Sequence, residues 1–287
     1  MPGSRSNPLR RLLVGRVQSV LNNRERGEAP VVRSANALYP PDSVIWRVHG
    51  DVTTMMIGGV TALLLQMLHP AALAGVWDHS TFKSDMLGRL RRTARFMAVT
   101  TYGERAAAEA AIAKVREVHL GVNGTLPDGT PYAASDPRLL AWVHVCEVIG
   151  FLDAWIRYGE RGMSLADQDT YVAQAGLVAT ALGCDPVPHT RREADALIAD
   201  FRAELSVNAR TRKVARMVLT QPAPSLSFAP VQTMLMHAAV DLMPPWAKAM
   251  HGLHPSALSV PMVRAGTMAI AGSLQWAFAG ARSVPKD

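Results

Sequence analysis

The sequence predicts an all-α protein, a single-domain helical bundle. Three observations carry this. Apolar residues recur at helical spacing along most of the 287 residues, no period-two strand pattern persists, and helix-start signals stand where the periodic stretches begin. The length fits one large domain, and no internal repeat divides it. The expected organisation is a basic arm at 1–33 and an all-helical domain at 34–287.

The arm holds Arg5, Arg10, Arg11, Arg16, Arg24, Arg26 and Arg33 against Glu25 and Glu28, which is +5 of the net +7. A local excess on a nearly balanced body is not a nucleic-acid footprint, so no nucleic-acid partner is expected. Leu9, Leu12, Leu13, Val17, Val20 and Leu21 form a helical stripe. Two readings stand: a helix docked on its own body or a partner, and a peripheral membrane anchor. The arginines interrupt any long apolar run, so no secretory signal is expected.

No charged residue lies between Asp51 and Asp78. By length that interval could span a bilayer. Gly58-Gly59, Gln66 and Pro70 argue instead for a buried helix over Val52–Leu68, stopped before the proline. An arginine-rich helix is expected at 86–101. The next, at 104–122, places Ala108, Ile112, Val115, His119 and Val122 on one face. LPDGTPY at 126–132 reads as a turn. Asp136 caps and Pro137 opens a helix that runs through Leu139–Tyr158. Ser164 with Asp167 starts another, ended by Gly183, and Thr190 with Glu193 starts the next. Pro222 and Pro224 mark a linker at 221–227, and helices at 228–241 and 260–280 close the chain.

Composition narrows the chemistry. Apolar residues are 49% and charged residues 18%, which excludes a disordered chain. Cys146 and Cys184 cannot make a disulfide framework or a four-cysteine metal site. A reducing, cytoplasmic setting fits, with the arm as the route to membrane association. There is no Gly-rich phosphate loop, GxSxG, HExxH or CxxC. What remains is a set of histidines and arginines in apolar helices.

His119 lies on the apolar face of its helix. Such a ring is either a metal ligand or a core histidine bonded to a backbone carbonyl. Arg89 and Thr93 share a face at i and i+4. Arg89, Arg91, Arg92 and Arg95 crowd one helix, and any that nears the interior needs an anion, such as a cofactor carboxylate. The alternative is a solvated helix. Arg116 lies one turn before His119. His69 and Asp78 flank the end of the charge-free stretch. Read structurally, His69 serves the last carbonyls of that helix, and Asp78 or Ser80 caps the arginine-rich one. His144 reads as a packing residue. Zinc shared among His69, His79, His119 and His144 lacks ligand spacing on any one helix.

The order of motifs resembles a known family. HPAALAGVWDHS at 69–80 precedes RLRRT at 89–93, YG at 102–103, RxxH at 116–119, GxxxDGxxY at 124–132, DPRLLAWVH at 136–144 and LGCDPVPHT at 182–190. This looks like the haem-dependent oxygenases that include the latex clearing protein, or rubber oxygenase, and the ER-bound oxygenase MpaB. The resemblance spans about residues 40–280. It implies an all-α fold with one haem b between helices and His119 as the axial iron ligand. It places Arg89, Arg92, Thr93 and Arg116 at the haem pocket, with Arg92 where the rubber oxygenase has a lysine. The charge is kept there, but Lys and Arg differ in geometry, which bears on any axial or gating role of that position. The family's distal carboxylate base has Asp78 as its nearest candidate here, and His69 is the rival ligand. The implied activity is oxidation of a small, mostly apolar substrate with O₂ or peroxide. The alternatives are a haem-binding sensor or carrier without turnover and a cofactor-free helical partner or peripheral membrane protein.

Overall fold

Residues 30–254 and 260–278 are described in this computed structural model. The Leu9–Leu21 stripe lies outside them. The described residues fold into twelve α-helices and one short hairpin. Helix α1 (Val44–His49) leads to α2 (Val52–Gln66), whose cap Asp51 accepts a hydrogen bond from the Thr54 backbone at 2.8 Å. Helix α3 (Pro70–His79) follows at a 106° bend. Pro70 has no N–H to extend α2 but suits the first turn of a new helix. The break therefore comes at Gln66, slightly before the expected Leu68.

A 3₁₀ turn at Thr81–Lys83 leads to α4 (Met86–Tyr102), and Gly103-Glu104 connects it to α5 (Arg105–Leu120). The cap of α4 corrects the sequence reading. Asp85 accepts the Gly88 N–H at 2.8 Å, while Asp78 lies inside α3 and Ser80 caps the 3₁₀ turn. Strands β1 (Asn123–Thr125) and β2 (Pro131–Ala133) pair antiparallel around the expected turn. Gly129 takes φ 90° there, and the Asp128 carboxylate accepts from the Thr130 N–H at 2.9 Å. Strands this short leave no alternation to read, which is why only the turn was visible.

Then come α6 (Pro137–Tyr158), α7 (Leu165–Leu182) and α8 (Arg191–Asp200). Their caps Asp136, Ser164 and Thr190 each accept from the backbone N–H three residues on, as expected. Gly183 ends α7 in the left-handed region at φ 95°. A 3₁₀ turn at Phe201–Glu204 precedes α9 (Ala209–Leu219), α10 (Ala229–Leu242), α11 (Pro245–His251) and α12 (Val260–Phe278).

The core is built on α2 and α6, which touch at backbone distance. A Cβ at Gly58 would stand 2.7 Å from the Gly150 carbonyl oxygen, and one at Gly150 would stand 2.6 Å from that of Gly58. Leu64, Leu65, Trp142 and Leu152 are fully buried around this contact. Each such side chain contributes roughly 1.5–3 kcal/mol. The Thr61 hydroxyl donates to the Ala239 carbonyl of α10 at 3.1 Å, and His251 Nε2 of α11 donates to the Leu64 carbonyl at 2.9 Å. Helix α6 is long and apolar enough to cross a membrane, but 78% of its apolar window is buried inside the fold. It is the core helix of the bundle.

At the far side Asp241 of α10 binds Arg157 of α6 at 3.0 Å and Arg264 of α12 at 2.8 Å. Burial alone would push the Asp241 carboxyl up, but the hydrogen bond and charge of Arg264, with Arg157 and Lys248, hold it below the usual range.

Candidate functional site between helices α4, α5 and α6

Helix α5 turns the predicted stripe inward. Ala108 and Ile112 are buried and Val115 and His119 are half-buried, while Arg116, Glu117 and Val118 face out. Helix α4 is different. From Met86 to Val99 no residue is fully buried, although Met86, Leu90 and Met97 reach the core. The α4–α5 hairpin is anchored at its turn. Tyr102 Oη donates to the Trp46 carbonyl at 3.2 Å, and the Arg105 guanidinium donates to the Ala37 carbonyl at 3.2 Å. Away from that anchor α4 stands half-covered, and its Arg89 lies within electrostatic reach of Glu147 on α6. By residue count from the turn, Arg89 and His119 lie at nearly the same distance along their helices.

His119 Nδ1 is buried with no hydrogen-bond partner among the described residues. Burial lowers its pKa, so the ring is neutral at pH 7. A buried imidazole nitrogen without a partner is uncommon, and it is costly unless something else occupies it. The backbone-bonded core histidine, the alternative reading of the sequence, is not what the structure contains for that nitrogen.

Two further buried titratable groups stand on α6. His144 and Glu147 are one turn apart and share a face. Burial pushes Glu147 from the ordinary 4.5 up to about 7, against the pull of a hydrogen bond from Gln66 and the charge of Arg89. Arg89 is lowered by burial and by Arg92, and Glu147 offsets part of that. Glu147 and Arg89 both keep some accessible surface. His144 Nε2 is buried and unpartnered, and burial lowers that ring to about 4.

The other candidates are placed differently. Thr93 is exposed, one turn along α4 from Arg89. Arg92 is exposed and donates to the Thr81 hydroxyl at 2.8 Å, with Asp85 at 3.5 Å. Arg116 is exposed. Asp78 is exposed, 3.6 Å from Arg210, and hydrogen-bonded by the Tyr132 hydroxyl. His69 is not a helix C-terminal residue. Its Nδ1 caps α3 by accepting the Ala71 N–H at 3.2 Å, and its Nε2 faces Glu204 at 3.5 Å. Thus Arg89 and Glu147 are brought together, His119 stands on α5 with no contact to either, and His69 and Asp78 are engaged elsewhere. Among the described residues no cluster of histidine, cysteine and carboxylate could hold a metal ion by itself. Both cysteines are buried and free. Burial with Glu147 nearby pushes the Cys184 thiol up to about 12, and Cys146 is raised in the same way, so neither supplies a thiolate at neutral pH.

Two groups were missed from sequence. Glu147 was concealed by its apolar helix, where its one visible signal was an acid inside WVHVCEV. His49 was not singled out. It is buried, with Nδ1 2.8 Å from the Thr101 hydroxyl and Nε2 3.0 Å from the Tyr171 hydroxyl. A separate cavity of about 250 Å³ lies against the opposite face of α6, between Ile149, Asp153, Ile198 and Trp246. There Arg191 donates to both Asp153 and Asp195, and Arg202 lies over the Trp246 ring.

A family model described as ER-bound oxygenase mpaB/B'/Rubber oxygenase, catalytic domain, matches residues 46–272. The chain belongs to that family. No curated protein and no solved structure matches it. The matched span encloses α4, α5 and α6.

Proposed function

We propose that this oxygenase-family chain is a haem b-dependent oxygenase acting on a small, mostly apolar substrate with O₂ or peroxide. One observation carries the reading. His119 stands within the family-matched span, half-buried on the inward stripe of α5, neutral and with Nδ1 lacking a partner among the described residues. A neutral imidazole is the form that ligates iron.

Haem b, held by His119 in a cleft between α4, α5 and α6, would supply activation of O₂ or peroxide. The chain's own residues would do the rest. His119 would hold the iron. Arg89 sets a positive charge in the cleft and offers charge-assisted hydrogen bonds to a carboxylate. Arg92 and Arg116, being exposed, suit carboxylates that stay in contact with water. Thr93 shapes the α4 side. Asp78 is committed to Arg210 and Tyr132, so Glu147 is the better proton holder. With a pKa of about 7, its carboxylate oxygen can carry or accept a proton at neutral pH. The apolar residues of α4 and α6 exclude water.

The test is an absorption spectrum of the protein expressed with haem supplied. A Soret band is expected, from a cofactor that acid-acetone extracts, since no CxxCH attachment motif is present. Oxygen uptake with apolar substrates then separates an oxygenase from a carrier. A colourless protein, or a thiolate-type carbon monoxide spectrum, would sink the reading.

A further inference from the structure

We propose that the cavity between α6, α8 and α11 is a second small-molecule site, which takes a flat apolar carboxylate anchored by Arg202. Leu65, Ile149 and Ile198 line it with buried apolar surface. Pro244 and Trp246, where α11 begins, and Ala199 of α8 complete the apolar lining. The short side chains at 199 and 244 leave the space unfilled. Asp195, Ala199 and Arg202 are exposed, so the hollow opens to solvent. Its volume is about 250 Å³. An apolar cavity of roughly 150 Å³ admits benzene, so this one suits a guest of about ten heavy atoms.

The charged groups at the opening are not equivalent. Arg191 donates to Asp153, and its Nε lies 3.0 Å from both Asp195 oxygens. That set is closed on itself. Arg202 has no carboxylate. Its partner among the described residues is the Trp246 ring, whose centre lies 4.4 Å from Cζ. The acids nearest it in sequence, Asp200 and Glu204, are each bonded by Arg138 at 3.2 Å.

Stacking occupies the face of a guanidinium and leaves its in-plane N–H donors for a bidentate carboxylate. An exposed arginine ordinarily gives those donors to water. Arg202 differs because an indole fixes its plane beside an apolar hollow, so less side-chain freedom is lost when an anion binds. The class of guest follows. An amine would have to displace Arg191 from Asp153 or Asp195. A neutral apolar guest would leave the Arg202 donors unused. A carboxylate on a flat ring matches both parts, with the ring against the isoleucines and the indole.

Ile149 and Asp153 stand on the side of α6 turned away from Glu147. The site is therefore distinct from the one proposed for haem and does not depend on that cofactor.

The experiment is a ligand-observed NMR titration of the full chain with phenylacetate, beside its neutral isostere phenylacetamide and the amine phenethylamine. Phenylacetate should bind with a Kd of about 0.1–1 mM, as a ligand of about ten heavy atoms and ordinary efficiency does. The amide and the amine should bind roughly tenfold more weakly, for want of the charge-assisted hydrogen bonds. Arg202→Gln should weaken phenylacetate by the same factor and leave phenylacetamide unchanged. Arg202→Lys keeps the charge but not the fork and should fall between. Ala199→Phe should fill the hollow and bar both ligands. Arg192→Gln, exposed on α8 and outside the lining, should bind as the wild type. All three substituted positions are exposed, so circular dichroism should stay as in the wild type. Wild-type affinity for phenylacetate in Arg202→Gln would place the anion elsewhere, Arg89 included, and overturn the proposal. So would phenylacetamide or phenethylamine binding as tightly as phenylacetate, or no phenylacetate binding in the millimolar range.

Discussion

Glu147 on α6 and Arg89 on α4 are opposite charges set into the interior from two different helices, and each moderates the burial cost of the other. The pairing is incomplete, since the Glu147 pKa still rises from 4.5 to about 7. The sign of its effect on stability follows. The folded state keeps the proton over a range where the unfolded state has lost it. Stability from this group is full below pH 4.5, declines as pH rises from 4.5 to about 7, and then levels. Glu147→Gln should match the wild type near pH 4.5 and exceed it at pH 8 by a few kcal/mol. Urea unfolding at the two pH values measures this. In oxygen-uptake assays the same variant should lose turnover more than substrate affinity.

His119→Ala should lose most of its haem and keep its helical circular dichroism, since alanine favours a helix. His69→Ala should do the reverse. Its ring caps α3, and losing a cap costs about 1 kcal/mol, read as a lowered melting temperature with the Soret band unchanged. A bleached His69→Ala beside a coloured His119→Ala would reverse the assignment.

Tyr171→Phe removes the hydroxyl that lies 3.0 Å from His49 Nε2 and leaves a buried nitrogen without a partner. The expected loss is about 1–3 kcal/mol. Burial holds His49 down to about 3, so the folded state keeps it neutral while the unfolded chain takes up a proton below pH 6.5. This stability is present above pH 6.5 and lost as pH falls from there toward 3. Chemical denaturation from pH 7 to 4 should show that slope in both proteins, with Tyr171→Phe lower throughout.

Asp241→Asn should cost about 3 kcal/mol, because the carboxylate is 7% exposed and joins Arg157, Arg264 and so three helices. The arginines are partly solvated, which keeps the loss at the low end of such cases. Hydrogen exchange should quicken first in α12, which hangs on Arg264. Unchanged exchange there would mean that apolar packing, not the ion pairs, holds α12.

The parts of this fold legible in the sequence were those decided within a few residues. Asp136, Ser164, Thr190 and Gly183 mark helix ends through bonds to their own neighbours, and the stripe from Ala108 to His119 follows from helical spacing. Pro70 stopped α2 for the same local reason. The unread parts depend on what lies across the chain. His69 could cap α3 only once α3 existed as a separate helix. Glu147 is meaningful only beside Gln66 and Arg89, from segments distant in sequence. His49 needed Thr101 and Tyr171 before it became a network. At the candidate site His119 was legible from its face and motif, whereas the carboxylate beside Arg89 was not.

The contact between Gly58 and Gly150 has a mechanical consequence. Helices that meet backbone to backbone have no side chains between them to shear, so α2 and α6 form one stiff slab. Gln66 and Glu147 ride on that slab. Arg89 and His119 ride on a hairpin gripped at its turn and only half-covered elsewhere, and thin cover of this kind marks the segments that open at low cost. The stiff partner is thus α2 with α6 and the yielding one is the α4–α5 hairpin, so any opening between Arg89 and Glu147 should come from the hairpin, while Gln66 and Glu147 keep their relative places.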